Sequence, residues 1–160
     1  MQTHGGIDAE AAILSAEVRY YPEIKVDWDG DGLFNNTYSN LSAYSDQITV
    51  DRSLSGSAPA EVMLIEGSSA AELTFTVGGD HYRTNLNLVA MFSPYNGLSP
   101  LYNKNVVGAE VTYRIGVETA VGVMWYSQFV GNIRTVTPNR QNNSVTITAL
   151  DRVEKLRRPI

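Results

Sequence analysis

Residues 26–33, VDWDGDGL, come nearest in this chain to a recognisable site chemistry. Asp27, Asp29 and Asp31 stand at every second position, and Gly32 follows. That spacing matches the front half of a calcium loop of EF-hand type, where positions 1, 3 and 5 supply oxygen ligands and position 6 is glycine. Position 9 falls on Asn35, an acceptable ligand, but position 12, where a bidentate glutamate belongs, is Tyr38. The same residues also read as a hairpin turn, because the alternating stretch EIKVDW runs straight into DGDG and Asp-Gly pairs accept positive φ. Two readings therefore stand. One is a structural turn with no cofactor, the other a turn that also holds Ca2+ weakly through Asp27, Asp29 and Asp31.

Other reactive chemistry is sparse. The two histidines are His4, near the start, and His81, in the turn-like GGDHY. No nucleophile elbow, zinc-binding H-E-x-x-H or phosphate loop occurs, and no spacing singles out two carboxylates for glycoside hydrolysis. There is no cysteine, which removes thiolate catalysis, zinc–thiolate sites and disulfides. The expectation is a protein that is not an enzyme. Seventeen acidic against twelve basic residues leave a net charge of -5, a poor basis for nucleic-acid recognition, which needs clustered cations. Arg152, Lys155, Arg157 and Arg158 form the one basic cluster and read as a solvated exit segment. No apolar run approaches the ~20 residues of a membrane span. The opening, MQTHGGIDAEAAILSAEV, lacks the basic and apolar regions of a signal peptide, so synthesis in a cytoplasm is expected.

The elements that must position these residues are strands. Alternation of period two recurs in EIKVDW (Ile24, Val26, Trp28 on one face), DQITVD (Ile48, Val50), AELTFTV (Leu73, Phe75, Val77), EVTYRIGV (Val111, Tyr113, Ile115, Val117) and SVTITAL (Val145, Ile147, Ala149). Such half-polar runs of β-branched and aromatic residues suit a pleated, one-side-buried surface. The last three strands read as a meander turning near 118–122 and 138–144, with Gly131 inside the middle strand as a bulge or close backbone approach. Trp28, Phe75, Tyr113, Ile115, Phe129 and Ile147 are expected to share the core. Helix is limited to short candidates at 85–92 and 151–156. Two stretches break the pattern, 53–70, rich in Ser, Gly and Ala, and 93–110, with Pro94, Tyr95, Pro100 and Tyr102. Loops this long tend to be functional or packed down by their own aromatics. The chain divides into an amino-terminal arm and lead-in, 1–22, and one all-β domain, 23–160, expected as an antiparallel β-sandwich or partly closed β-barrel.

Six segments follow an order that carries a resemblance: VDWDGDGLF, DQITVDRSLSG, SAAELTFTVGG, FSPYNGLSPLYNKNVVGAEVTYRI, QFVGNIRTVTP and SVTITALDRVEKLRR. Together they resemble the amino-terminal region of minor tail proteins from long-tailed actinobacterial phages, over roughly residues 24–158. VGGDHY departs from the Asn-Asp-Gly-type turn usual in that family. The resemblance implies a tail-hub type of barrel or sandwich and a structural role at the tail tip or baseplate of the virion. It also implies partners: copies of the same chain in a symmetric ring of unstated order, and other tail proteins. On that reading the arm and the loops 53–70 and 93–108 are contact segments, with Tyr95 and Tyr102 as candidate anchors. The competing reading is a calcium-dependent carbohydrate- or receptor-binding β-sandwich, and a more distant one is a glycan-degrading enzyme.

Overall fold

The computed structural model describes residues 19–52, 70–78 and 87–152 except Pro94. Residues 1–18 of the arm, both histidines, the GGDHY turn after Gly78, nearly all of 53–70, the helix candidate at 151–156 beyond Arg152 and the rest of the basic cluster lie outside the described residues. More than half of what is described is strand. In chain order these are β1 (Tyr20–Asp27), β2 (Ser45–Asp51), β3 (Glu72–Gly78), β4 (Glu110–Thr119), β5 (Gly122–Asn139) and β6 (Ser144–Asp151). A 3-10 turn at Ser42–Tyr44 and one turn of helix, α1 (Leu88–Met91), are the helical pieces among the described residues. All six strands join one antiparallel sheet in the order β1-β4-β5-β6-β3-β2, curled into a half-barrel.

The curl has a local origin in β5. This strand of 18 residues pairs with β4 through its first part and with β6 through its second, and Gly131 and Asn132 are the residues paired with both strands. The register shifts once between the Tyr113 and Arg114 pairings, where Gln128 is the extra residue, and again between the Ile133 and Thr135 pairings, where it is Arg134. Each bulge bends its strand and raises the twist. Between them Gly131 lets the backbones close up. A Cβ there would lie 2.2 Å from the Leu150 carbonyl oxygen and 2.7 Å from the Phe129 ring.

The free edge of β1 is partly covered by its own continuation. Val26 N–H donates to the Ser39 carbonyl at 2.8 Å, and Leu41 N–H donates to that of Ile24 at 3.0 Å. From there the 3-10 turn carries the chain across to β2 at the opposite edge of the sheet. The Arg52 side chain, just beyond β2, reaches the Gln128 backbone carbonyl and side chain in the β5 bulge.

The concave face holds the expected alternating residues. Ile24, Val26, Trp28, Leu73, Phe75, Val77, Val111, Phe129, Val145, Ile147 and Ala149 are all buried. Leu88, Met91, Phe92 and Leu101 cover them, and Phe92 meets Trp28 edge to face at 5.9 Å between ring centroids. Two expected core members differ. Tyr113 packs only partly buried against the core, and Ile115 is half-buried outside it. Both face inward, but Ile115 lies beyond the Gln128 bulge, on the part of the β4–β5 hairpin that β6 does not flank. Strand β1 also starts at Tyr20, three residues ahead of the expected domain start. Pro22 is tolerated there because β1 is an edge strand. On the convex face Thr74 and Thr76 stand opposite Thr148 and Thr146, a cross-strand pairing that suits β-branched hydroxyl side chains.

Candidate functional site

The acidic turn leaves β1 at Asp27, and its three aspartates have three different fates. Asp27 is only 4% exposed. Its carboxylate folds back under the turn and accepts backbone N–H groups from Asp29 (3.2 Å), Gly30 (2.8 Å) and Gly32 (2.8 Å). Gly30 and Gly32 adopt φ of 72° and 79°, the left-handed region that this tight wrapping requires. Asp29 points outward. It pairs with Lys104 and accepts from the Asn36 amide at 3.2 Å. The hydrogen bond from Lys104, then that from Asn36, hold the Asp29 carboxyl below its ordinary value of 3.8. Asp31 accepts the Leu33 N–H at 2.8 Å in a local Asx turn.

Lys104 links this turn to the 93–108 loop. That loop is a chain of short turns, with Asn96 N–H bonded to the Ser93 carbonyl, Ser99 to Asn96, Tyr102 to Ser99 and Lys104 to Leu101. It is anchored at three points. The Asn96 amide donates to the Ala90 carbonyl at 3.0 Å, the Ser99 hydroxyl donates to the Met91 carbonyl, and Leu101 is buried in the core. Helix α1 beneath it is capped by Asn87, whose side-chain oxygen accepts the Ala90 N–H at 3.1 Å.

Turn and loop enclose an open cleft of about 730 Å³, lined by residues 27–32, Asn103–Asn105, Gly108–Glu110 and Asn132. Arg152 clamps Glu110 with one nitrogen on both carboxylate oxygens, at 3.0 and 2.9 Å, and the Asn132 amide donates to the Gly108 carbonyl at 2.9 Å. The walls are therefore polar, and their charged side chains Asp27, Asp29, Asp31, Lys104 and Glu110 are already engaged within the chain. Asp27, Asp29 and Asp31 belong to one short turn, but Asp27 is turned toward backbone amides and Asp29 toward Lys104. Among the described residues no three His, Cys, Asp or Glu side chains converge as a metal-ligating group. A Ca2+ ion bound here would have to replace Lys104 at Asp29 and compete with three amides for Asp27.

No family model, curated protein or solved structure matches this chain.

The loop's outer surface differs in kind from the cleft. Tyr95 is 93% exposed and Tyr102 is 44% exposed, so both candidate anchors stand in solvent. Leu98, which sequence reasoning did not single out, is 95% exposed beside them. Its signal was available in the stretch YNGLSPLY. Asn96 and Ser99 hold turns on either side, which leaves Leu98 exposed between them, whereas Leu101 is drawn inward. An apolar group displayed by a stitched and anchored backbone loses little further entropy on contact, which favours association.

Proposed function

We propose that this chain is a structural, non-catalytic subunit of a phage tail tip or baseplate, working in the virion as a repeated copy in a ring around the tail axis, with other tail proteins as neighbours. The observation that carries this reading is the 93–108 loop: a long segment fixed to the core at Asn96, Ser99 and Leu101 that presents Tyr95, Leu98 and Tyr102 outward. Exposed apolar side chains grouped on a rigid platform are characteristic of protein contact surfaces, where tyrosine is a frequent anchor. The ordered resemblance of six segments to minor tail proteins supports the same reading, as does a cleft whose charged side chains are already engaged within the chain. Replacing Tyr95 and Tyr102 together by Ser tests it. The melting temperature should change by no more than a few degrees, because neither side chain belongs to the buried core, while incorporation into particles falls at least tenfold, the consequence of losing ~1.4 kcal/mol or more of contact free energy. Normal incorporation of the folded double variant would contradict the assignment.

A further inference from the structure

The exposed apolar side chains of this protein are sorted to two places. Among the described residues, one group is Leu33, Tyr95, Leu98, Tyr102 and Val107, on the 93–108 loop and the acidic turn that Lys104 ties to it. The other is Tyr20, Tyr21, Val121, Val123 and Trp125, at the start of β1 and the tip of the β4–β5 hairpin. No other large apolar side chain among the described residues is comparably exposed. The outer surface between them carries ion pairs instead, Glu23 with Arg114 and Lys25.

The two groups lie at opposite ends of β1. Tyr20 pairs with Val117 beside the hairpin tip, and Asp27 pairs with Glu110 beside the acidic turn. Seven residue steps separate these rows, on the order of 23 Å along the strand. The hairpin end is as firmly built as the loop end. Trp125 lies over Gly116, where a Cβ would come within 3.0 Å of its ring, and the Arg114 guanidinium stacks 4.6 Å from the ring centroid. The Tyr21 hydroxyl donates to Glu118 at 2.9 Å.

We infer that the two ends bind each other, the loop end of one copy seated on the hairpin end of the next, so that the ring closes by head-to-tail contacts. A symmetric face-to-face pair uses a single self-complementary patch, whereas a heterologous contact needs two different patches at separate places, and repeating it closes a ring. Taking ~200 Å² for a fully exposed aromatic, each end offers roughly 400–600 Å² of apolar side chain. A standard interface buries ~800 Å² per partner, a little over half of it apolar. Charge beside the hairpin patch is balanced, Arg19 lying 3.9 Å from Glu118, so the fit of the two ends rests on their apolar area. The inference rests on the ring reading above and adds the second surface and its pairing.

Two variants of the full chain test it by sedimentation velocity. Tyr95→Ser/Leu98→Ser disables the loop end, and Val121→Asp/Trp125→Thr disables the hairpin end. Circular dichroism should show both folded, since all four positions are at least two-fifths exposed. The wild-type chain should sediment as a closed oligomer and each variant alone as a monomer. An equimolar mixture should give a one-to-one dimer and nothing larger, because one intact end of each kind remains. Rings formed by the folded hairpin variant would overturn the pairing and leave the ring reading standing. A mixture that stays monomeric would do the same. A wild-type chain that is monomeric at high concentration would remove the ring reading and this inference together.

Discussion

Asp27 shows how a single side chain can organise a turn that its neighbours only decorate. Replacing it by Ala removes the acceptor of three part-buried amides and should cost about 1.5–3 kcal/mol, since bonds to a charged acceptor are worth more than neutral ones. Asp31→Asn keeps the oxygen that Leu33 uses and should change stability by less than ~0.5 kcal/mol. Urea denaturation of the two variants separates them, and equal costs would mean that the buried carboxylate is not what holds the turn. Alternation along EIKVDW put Asp27 on the polar face, and its type is right for a turn. What alternation could not show is that the carboxylate folds back beneath glycines three and five positions later. Glu23 adds a pH dependence. Burial acts to raise its carboxyl, but hydrogen bonds from Arg114 and Lys25 and their charges outweigh it, so the group sits below its ordinary 4.5. A depressed folded value contributes stability above the unfolded value and loses it as pH falls through the folded one. Melting temperatures from pH 6 down to 2 should therefore fall less steeply for Glu23→Gln than for the wild type, while identical slopes would mean the Arg114 pair contributes nothing.

At the scale of elements, the strand faces were legible because each alternating run buries one side. Leu73, Phe75 and Val77 are in the core together, as are Val145, Ile147 and Ala149. The bulges were not legible. A bulge is fixed by how a strand meets both neighbours, and nothing in YSQFVGNIRTV distinguishes Gln128 or Arg134 as the extra residue. That is why Ile115, on the correct face, lies outside the core. The two positions should differ sharply on truncation. Phe75→Ala should cost ~3–5 kcal/mol and Ile115→Ala less than ~2 kcal/mol, by chemical denaturation. Equal costs would place Ile115 in the core after all. Gly131 makes a further element-scale test. Gly131→Ala drives a methyl group into the Leu150 carbonyl and the Phe129 ring, so β5 and β6 must separate locally, at a cost of about 1–3 kcal/mol or more. A neutral effect would show that the strands are not held this close.

For the whole molecule, the all-β character of the described residues, with almost no helix among them, followed directly from the strand count, and a partly closed barrel was one of the two expected architectures. The meander of β4, β5 and β6 was also readable, because consecutive strands joined by short turns pair with each other. The placement of β1 beside β4, and of β3 beside β6 with β2 outermost, was not readable, since these are pairings between segments far apart in the chain. The separation of exposed apolar side chains to the two ends of β1 likewise depends on those pairings. Tyr95 and Tyr102 could be picked out as surface aromatics, but their relation to Tyr21 and Trp125 exists only in the folded sheet. No helix among the described residues is long and apolar enough to cross a membrane. The claim that most needs testing is that the chain is a repeated structural part of a tail tip. Electron-microscopic imaging of purified particles, with this chain labelled by an antibody fragment, tests it most directly. The expected result is label at the distal end of the tail, in several copies arranged symmetrically around its axis. Particles that carry no label, or a single labelled copy away from the axis, would contradict it.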